Sequence, residues 1–370
     1  MNENTQRKIL NRFNPFDNPT EYEEYNGDYR KYEPKISLNG YEMEYMPSHS
    51  ERQALRKNYG RVGMLMIWHM ALAALLAFIF TNLIAWLLER ELPAFRIEGY
   101  MADSSINMAL SLVIGTVINL FVFFIGKKIT GYKTSEAFFG RNSAEHKNSG
   151  ILKVPNLKAF DMIKYVFIGG LVMSVCELLI SLMSTAFRFN LPDFDVKGNM
   201  KLTAVTVIYT CIIAPITEEL LFRGLFLKTV SAASQRVGIV ISALLFALFH
   251  GNLGQAIPAF FIGLFLAEIT VKHNSVIPAM LVHFAVNAVS VTVMLLNRYL
   301  LWDWTPVYWS LFGIFAAFGV FCLVLYIRGS KRIKTVYKQR SRGFALVFSS
   351  PWFVIMTVLC TVMIAVREFI

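Results

Sequence analysis

Apolar runs cover most of the chain from residue 62 onward, and short polar segments separate them. The runs lie at 62–88, 106–125, 163–187, 202–227, 237–249, 256–271, 276–296, 307–327 and 344–366. A helix needs about 20 residues to cross a hydrocarbon core of about 30 Å, so the short fifth and sixth runs are expected inside the bundle. The runs lack the period-2 alternation of membrane-embedded strands. The pattern predicts an all-α polytopic membrane helix bundle of about eight to nine transmembrane helices.

The basic residues predict how this bundle is oriented. They lie before the first run, between the second and third, after the fourth and sixth, and after the eighth, where 328–342 is free of acids. Since each crossing reverses the side, these positions all fall on one side, which the positive-inside rule makes cytoplasmic. We therefore expect a cytoplasmic N-terminus and, with nine spans, a C-terminus on the opposite side.

Composition agrees with a lipid-exposed protein. Only 16% of residues are charged, against roughly a quarter in soluble domains, and the mean hydropathy is +0.48. The net charge of +11 does not predict nucleic-acid binding, because the basic residues flank apolar runs. Membrane lipid is the expected surroundings. The four cysteines fall inside apolar runs, without paired zinc-ligand spacing.

The fourth run contains three charged residues, Glu218, Glu219 and Arg223. Each charge at a helix centre costs roughly 2.5–3.5 kcal/mol on insertion scales, so these side chains need partners or a wet cavity. Glu219 and Arg223 share a helix face and can neutralise each other, whereas Glu218 is turned about 100° away. An alternative from this segment alone is that both acids merely flank Arg223 near the cytoplasmic interface.

Two later runs bring further polar groups to a similar depth. His250 ends the fifth run and precedes Gly251, which permits a sharp turn. His283 and Asn287 lie on one face of the seventh run. Counted from the cytoplasmic ends, Glu218 and the two histidines lie about 8 to 13 positions deep, or roughly 12 to 20 Å. The pattern predicts that three helices deliver these groups to one level.

These residue types form a set suited to hydrolysis. Glu218 can deprotonate water while His250 orients or shares that proton. His283 and Asn287, one turn apart, can donate hydrogen bonds to one oxyanion. The same three groups Glu218, His250 and His283 could alternatively form a three-ligand zinc site with an open position. Metal-free chemistry, with no cofactor, is preferred.

The ordered motifs Glu-Glu-x-x-x-Arg at 218–223, Phe-x-x-x-His at 246–250 and His-x-x-x-Asn at 283–287 resemble the CPBP family. This family comprises CAAX prenyl endopeptidases and bacteriocin-processing enzymes, also called Abi proteins. Gln255, Gly263 and the sequence Ser-Val-Ile-Pro at 275–278 are similar as well. The resemblance covers roughly 202–290 and implies an intramembrane endopeptidase, in a family often labelled metalloprotease.

By this resemblance, the catalytic residues are Glu218, His250, His283 and Asn287. Glu219, Arg223 and Phe246 support them. The chain then divides into a flexible cytoplasmic tail at 1–61, N-terminal transmembrane helices at 62–200, a catalytic transmembrane core at 201–300 and C-terminal transmembrane helices at 301–370. The tail has no apolar run, so no cleavable signal peptide is expected.

The expected partner is a peptide or protein substrate, and the expected location is a plasma membrane, multi-pass, in a bacterial cell. Leader peptides or small membrane-associated peptides are then more natural substrates than prenylated CAAX peptides. Two other classes of function fit the same residues: a proton- or ion-coupled transporter, and a non-catalytic scaffold or maturation factor. His69 and Glu268 are expected near the cytoplasmic ends, and Glu177 is a candidate cavity-lining acid.

Overall fold

The computed structural model describes residues 49–89, 104–131, 157–187, 200–231, 235–273, 275–299, 305–329 and 343–369. The ten helices in these residues are α1 His49–Glu89, α2 Ser104–Thr130, α3 Ala159–Phe187, α4 at 200–230, α5 Gln235–Phe249, α6 Leu253–His273, α7 Ile277–Tyr299, α8 Thr305–Gly329, α9 Gly343–Phe348 and α10 Pro351–Phe369. The described part of the chain has no strand. The all-α membrane bundle is confirmed.

Five of these helices are long enough and apolar enough to cross a membrane. They contain the spans Arg52–Phe80, Leu112–Thr130, Ala159–Met183, Ala204–Val230 and Leu253–His273. Shorter apolar helices occur at Arg236–Phe249, Ile277–Thr292, Phe312–Arg328 and Pro351–Arg367 within the residues described. Together these nine segments correspond to the nine runs of the sequence.

Three boundaries differ from those expected. Helix α1 begins at His49, inside the segment 1–61 assigned to a flexible tail, and it already buries Leu55 and Tyr59. The rest of that segment, 1–48, lies outside the described residues. The sixth run, expected to be short, is part of a 21-residue helix that is long enough to cross the membrane. The ninth run divides into α9 and α10, with Pro351 at the start of α10, where proline is tolerated.

The second half of helix α4 forms the centre of the bundle, whereas its first half exposes Val205, Ile208, Ile212 and Ile216. Every residue from 217 to 231 is buried, whereas α1, α3, α8 and α10 each expose large apolar side chains on their outer faces. Close packing surrounds this centre: a Cβ added at Gly63 of α1 would lie 2.6 Å from the backbone oxygen of Trp352 in α10. The polar residues of α4 are thus held inside the bundle, away from the lipid-facing surface.

Candidate active site

The backbone of α4 is irregular where it carries its charged residues. An α-helical segment, Ala214–Glu219, lies between two π-helical segments, Tyr209–Ile213 and Leu220–Leu227. Pro215 stands at the start of the α-helical segment. Single π turns inside helices occur frequently at functional sites, because they re-aim the side chains around them. Glu218 and Glu219 therefore lie at the end of a short regular turn between two irregular ones.

Glu219 joins α4 to α7 through one carboxylate oxygen, and its partner Arg223 extends the link to α6. Its Oε1 accepts a hydrogen bond from Arg223 Nη1 at 2.8 Å and another from His283 Nδ1 at 2.9 Å. Arg223 in turn donates from Nη2 to the backbone oxygen of Gly263 in α6 at 3.2 Å. The side chains of Glu219 and Arg223 are both 0% exposed. The predicted Glu219–Arg223 pair is confirmed, and its extension to α6 and α7 is a finding of the structure.

The glycine at 263 permits this contact. A Cβ at that position would lie 3.3 Å from Arg223 Nη2 and 3.3 Å from the Cα of Ala243. Both distances are tighter than ordinary van der Waals contact, so a side chain would push the guanidinium away from the carbonyl that it binds. Gly263 belongs to the sequence context of the three motifs, and its role here is to let α6 approach Arg223.

His283 faces both glutamates. Because Nδ1 donates to Glu219, the neutral ring carries its lone pair on Nε2, and this nitrogen lies 3.9 Å from Glu218 Oε2. Glu218 is buried, with a relative exposure of 9%. The structure thus brings together Glu218 and His283, two residues 65 positions apart, and fixes the ring orientation of the histidine through Glu219.

His250 is oriented by a different acceptor. Its Nδ1 donates to the backbone oxygen of Phe246 at 2.8 Å, so the neutral ring again carries its lone pair on Nε2. Gly251 then has φ +65°, which confirms the sharp turn expected after this histidine. Asn252 caps the start of α6 by accepting from the backbone N–H of Gln255 at 2.8 Å.

The ring of Phe246 contacts the charged and the imidazole side chains alike. Its centroid is 4.4 Å from the Arg223 guanidinium carbon, 4.9 Å from the His250 ring and 5.8 Å from the His283 ring. His250 packs against the same ring as Arg223 and His283. Among the described contacts it makes no direct hydrogen bond to Glu218. Phe246 is therefore the packing surface against which both histidines are placed.

Asn287 binds the irregular backbone of α4. Its Nδ2 donates to the backbone oxygen of Thr210 at 2.8 Å. In the π-helical pattern, Ala214 N–H bonds to the oxygen of Tyr209, so the oxygen of Thr210 would pair with residue 215. That residue is proline and has no N–H. The amide of Asn287 thus satisfies the carbonyl that Pro215 leaves without a backbone partner, and it retains a second N–H for another acceptor.

Glu177 lies away from these residues. It lines a cavity of about 160 Å³ between α3, α7 and α8, together with Ser174, Val286, Ser290 and Phe315. None of the four residues assigned to catalysis lines this cavity. The sequence indicated a buried acid, but the structure leaves Glu177 exposed at the edge of this cavity.

Comparison with known proteins gives a family match for part of the chain. The model of the family described as type II CAAX prenyl endopeptidase Rce1-like matches residues 200–289, a quarter of the chain. All seven residues singled out in the three motifs fall within it. No curated protein and no solved structure gives a significant match. The match agrees with the resemblance drawn from the motifs: residues 200–289 are similar to the Rce1-like family.

Proposed function

We propose that the protein is an intramembrane endopeptidase that hydrolyses a peptide bond of a membrane-associated peptide with water activated by Glu218. The Rce1-like domain implies a CAAX-type endopeptidase. The observation that carries the proposal is the arrangement of Glu218 and His283, whose Oε2 and Nε2 lie 3.9 Å apart in a buried position. This distance exceeds a direct N–H···O hydrogen bond of about 3 Å, so both groups can reach one water molecule.

In the proposed reaction Glu218 takes a proton from this water. The water oxygen bonds to the substrate carbonyl carbon, and the carbonyl oxygen becomes an oxyanion. The oxyanion then collapses to a carbonyl as the C–N bond breaks, and the carboxyl group of Glu218 gives its proton to the departing amine nitrogen, which regenerates the carboxylate. His250, whose ring packs against Phe246 and carries a lone pair on Nε2, orients the water or shares its proton.

The oxyanion is assigned to His283 and Asn287. As an oxyanion donor, His283 acts in its imidazolium form. In that form Nε2 also carries a hydrogen and can donate to the oxyanion, while Nδ1 keeps its bond to Glu219. The second N–H of Asn287 supplies the other donor, beside the one bound to Thr210.

The substrate class and location extend the same proposal. We place the protein in a bacterial plasma membrane, with the catalytic residues reached from the cytoplasmic side, and its substrates among leader peptides or small membrane-associated peptides. Comparison of peptide termini in cells carrying wild-type protein or the Glu218→Ala variant identifies the substrate. Peptide ends found only with the wild type become the synthetic peptides for assays of purified protein.

The decisive assay compares wild type with Glu218→Gln, which keeps the shape of the side chain and removes its basicity. We expect peptide cleavage to fall by about 10² to 10⁴-fold, with the thermal unfolding midpoint in detergent nearly unchanged. Full cleavage by the variant would exclude Glu218 as the base. A wild type that cleaves nothing but moves protons or ions in vesicles would favour the transporter.

Whether a metal takes part is tested separately. Within the residues that the structure describes, no group of three or more His, Cys, Asp and Glu side chains is placed to hold a metal ion. The three-ligand zinc site considered from the sequence stays an alternative, and no step above is routed through a metal. We expect prolonged phenanthroline treatment to leave cleavage unchanged. Stoichiometric zinc in the purified protein, with cleavage lost on chelation and restored by zinc, would overturn this.

A further inference from the structure

A buried chain of hydrogen bonds links α1 and α2 to the residue next to Glu218. His69 Nε2 and Asn119 Oδ1 are 2.8 Å apart, and Asn119 Nδ2 donates to Thr217 Oγ1 at 3.4 Å. Thr217 donates in turn to the backbone oxygen of Ile213 at 3.0 Å. All three side chains are buried. His69 was expected in water-accessible surroundings near a helix end, and the structure places it instead inside the bundle.

The direction of this chain is fixed by its last members. The Thr217 hydroxyl gives its hydrogen to Ile213, so its oxygen accepts from the amide nitrogen of Asn119. The amide oxygen of Asn119 then faces His69, whose Nε2 must donate. Asn119 and Thr217 therefore each accept from one neighbour and donate to the next, and the chain ends on the backbone of α4.

The chain of hydrogen bonds ends at a stretch of α4 whose own backbone hydrogen bonding is incomplete. Ile213 is the last residue of the first π-helical segment, and Pro215 provides no N–H. Asn287 holds this stretch from α7 through Thr210. Asn119 of α2 binds the same stretch through the hydroxyl of Thr217. Thr217 is the immediate neighbour of Glu218. Two amides from different helices thus fix the backbone that aims the Glu218 carboxylate.

The same chain also borders the turn that carries His250. The ring of His69 meets Phe249 edge to face, with centroids 4.9 Å apart, and Phe249 precedes His250. We propose that His69, Asn119 and Thr217 are positioning residues for the proposed reaction, through which α1 and α2 set the placement of Glu218. The inference rests on the proposed endopeptidase activity, and it gives a role to two residues outside the Rce1-like match.

Thr217→Val tests the proposal because valine has nearly the shape of threonine and lacks the hydroxyl. The matched control is Thr229→Val, which removes an equally buried hydroxyl bonded to Leu225 O at 2.8 Å in the same helix. We expect Thr217→Val to lower kcat by about 10-fold or more with KM within about 2-fold, and Thr217→Ser to recover most of the loss. Thr229→Val should keep the wild-type kcat.

Asn119→Ala should lower kcat to a similar extent, and the double variant Asn119→Ala/Thr217→Val should be no slower than either single one, since both remove the same link. Additive losses would show that the two residues act separately and would overturn the proposal, as would a Thr217→Val kcat equal to that of Thr229→Val. If Asn119→Ala does not fold, the comparison of the two valine variants still decides.

A readout independent of cleavage separates failure of this inference from failure of the proposed function. Dicyclohexylcarbodiimide modifies carboxyl groups in membrane proteins, and mass spectrometry measures its rate at Glu218. We expect a clear change of that rate in Thr217→Val and none in Thr229→Val. An altered rate with no cleavage by the wild type would reject only the endopeptidase, whereas unchanged rates in both variants would reject the positioning role.

Discussion

One carboxylate oxygen, Glu219 Oε1, accepts hydrogen bonds from both Arg223 and His283. The arginine thus stabilises the anion that orients the histidine. A charge removed from such a buried pair leaves its partner without compensation, at a cost of about 3 to 5 kcal/mol. The supporting residues of the motif are therefore expected to affect folding more than the residue proposed to react with water.

Arg223→Ala is accordingly expected to lower the thermal unfolding midpoint in detergent much more than Glu218→Ala does. The control is Lys164→Ala, which breaks a partly exposed pair with Asp161 at 2.6 Å and should cost at most about 1 kcal/mol. Equal midpoints for the Arg223 and Glu218 variants would show that the buried pair contributes little to stability.

The sequence predicts only the local part of this arrangement. Glu219 and Arg223 are one helical turn apart, so their pairing follows from helix geometry alone. The bond from His283 to Glu219 depends on how α7 is rotated relative to α4, and no spacing within either helix determines that. The contact of Arg223 with Gly263 and the hydrogen bond from Asn119 to Thr217 also join different helices. They could not be predicted from the sequence for the same reason.

At the level of the helix, the irregular stretch of α4 depends on a side chain from α7. Asn287 donates to the Thr210 carbonyl that Pro215 leaves without an N–H partner. The sequence marks Asn287 as a polar residue facing the bundle, and proline as a residue that disturbs a helix. It does not indicate a π-helical segment, because the choice between i+4 and i+5 bonding depends on packing around the helix.

Asn287→Ala should therefore have two separable effects. Loss of the bond to Thr210 should lower stability by about 1 to 3 kcal/mol, and loss of an oxyanion donor should lower turnover by about 10² to 10³-fold. In the double variant Pro215→Ala/Asn287→Ala the new backbone N–H can bond to Thr210, so stability should recover in part while turnover does not. Unfolding midpoints and kcat measured on the same samples decide the matter.

Recovery of turnover together with stability would assign Asn287 a purely structural role. Pro215→Ala alone is the control for any direct effect of the proline. It adds a donor next to a carbonyl that already has one, and we expect it to change stability little. A large loss from this single change would mean that the proline itself, and not the missing N–H, shapes α4.

Over the whole molecule, the order of apolar segments sets the topology. Nine apolar segments are found in the described residues, five of them of full membrane-crossing length. With all nine crossing and the N-terminus cytoplasmic, the C-terminus lies on the other side. A phosphatase reporter that is active only outside the cytoplasm, fused after residue 370, should then be active. A fluorescent protein that matures only in the cytoplasm is the matched fusion.

Activity of the cytoplasmic reporter alone would show that one of the shorter helices does not cross. The helices of most uncertain length from sequence were the fifth and sixth, and α6 proved long enough because its helix continues beyond the apolar run to Leu253 and His273. Hydropathy predicts the apolar part of a helix well. It does not show where polar ends continue the helix, as α1 does from His49.

The partners of Glu219 and Arg223 also determine when α4 can be placed stably during synthesis of the chain. Gly263 and His283 follow Arg223 in the chain, the latter by about 60 residues, which a ribosome adds in roughly 3 to 12 s. During that interval α4 carries two glutamates and an arginine toward the bilayer with only the Glu219–Arg223 pair to neutralise them. Stable placement of α4 is therefore expected to wait for α6 and α7, so these three helices should enter the membrane as a group and not one by one.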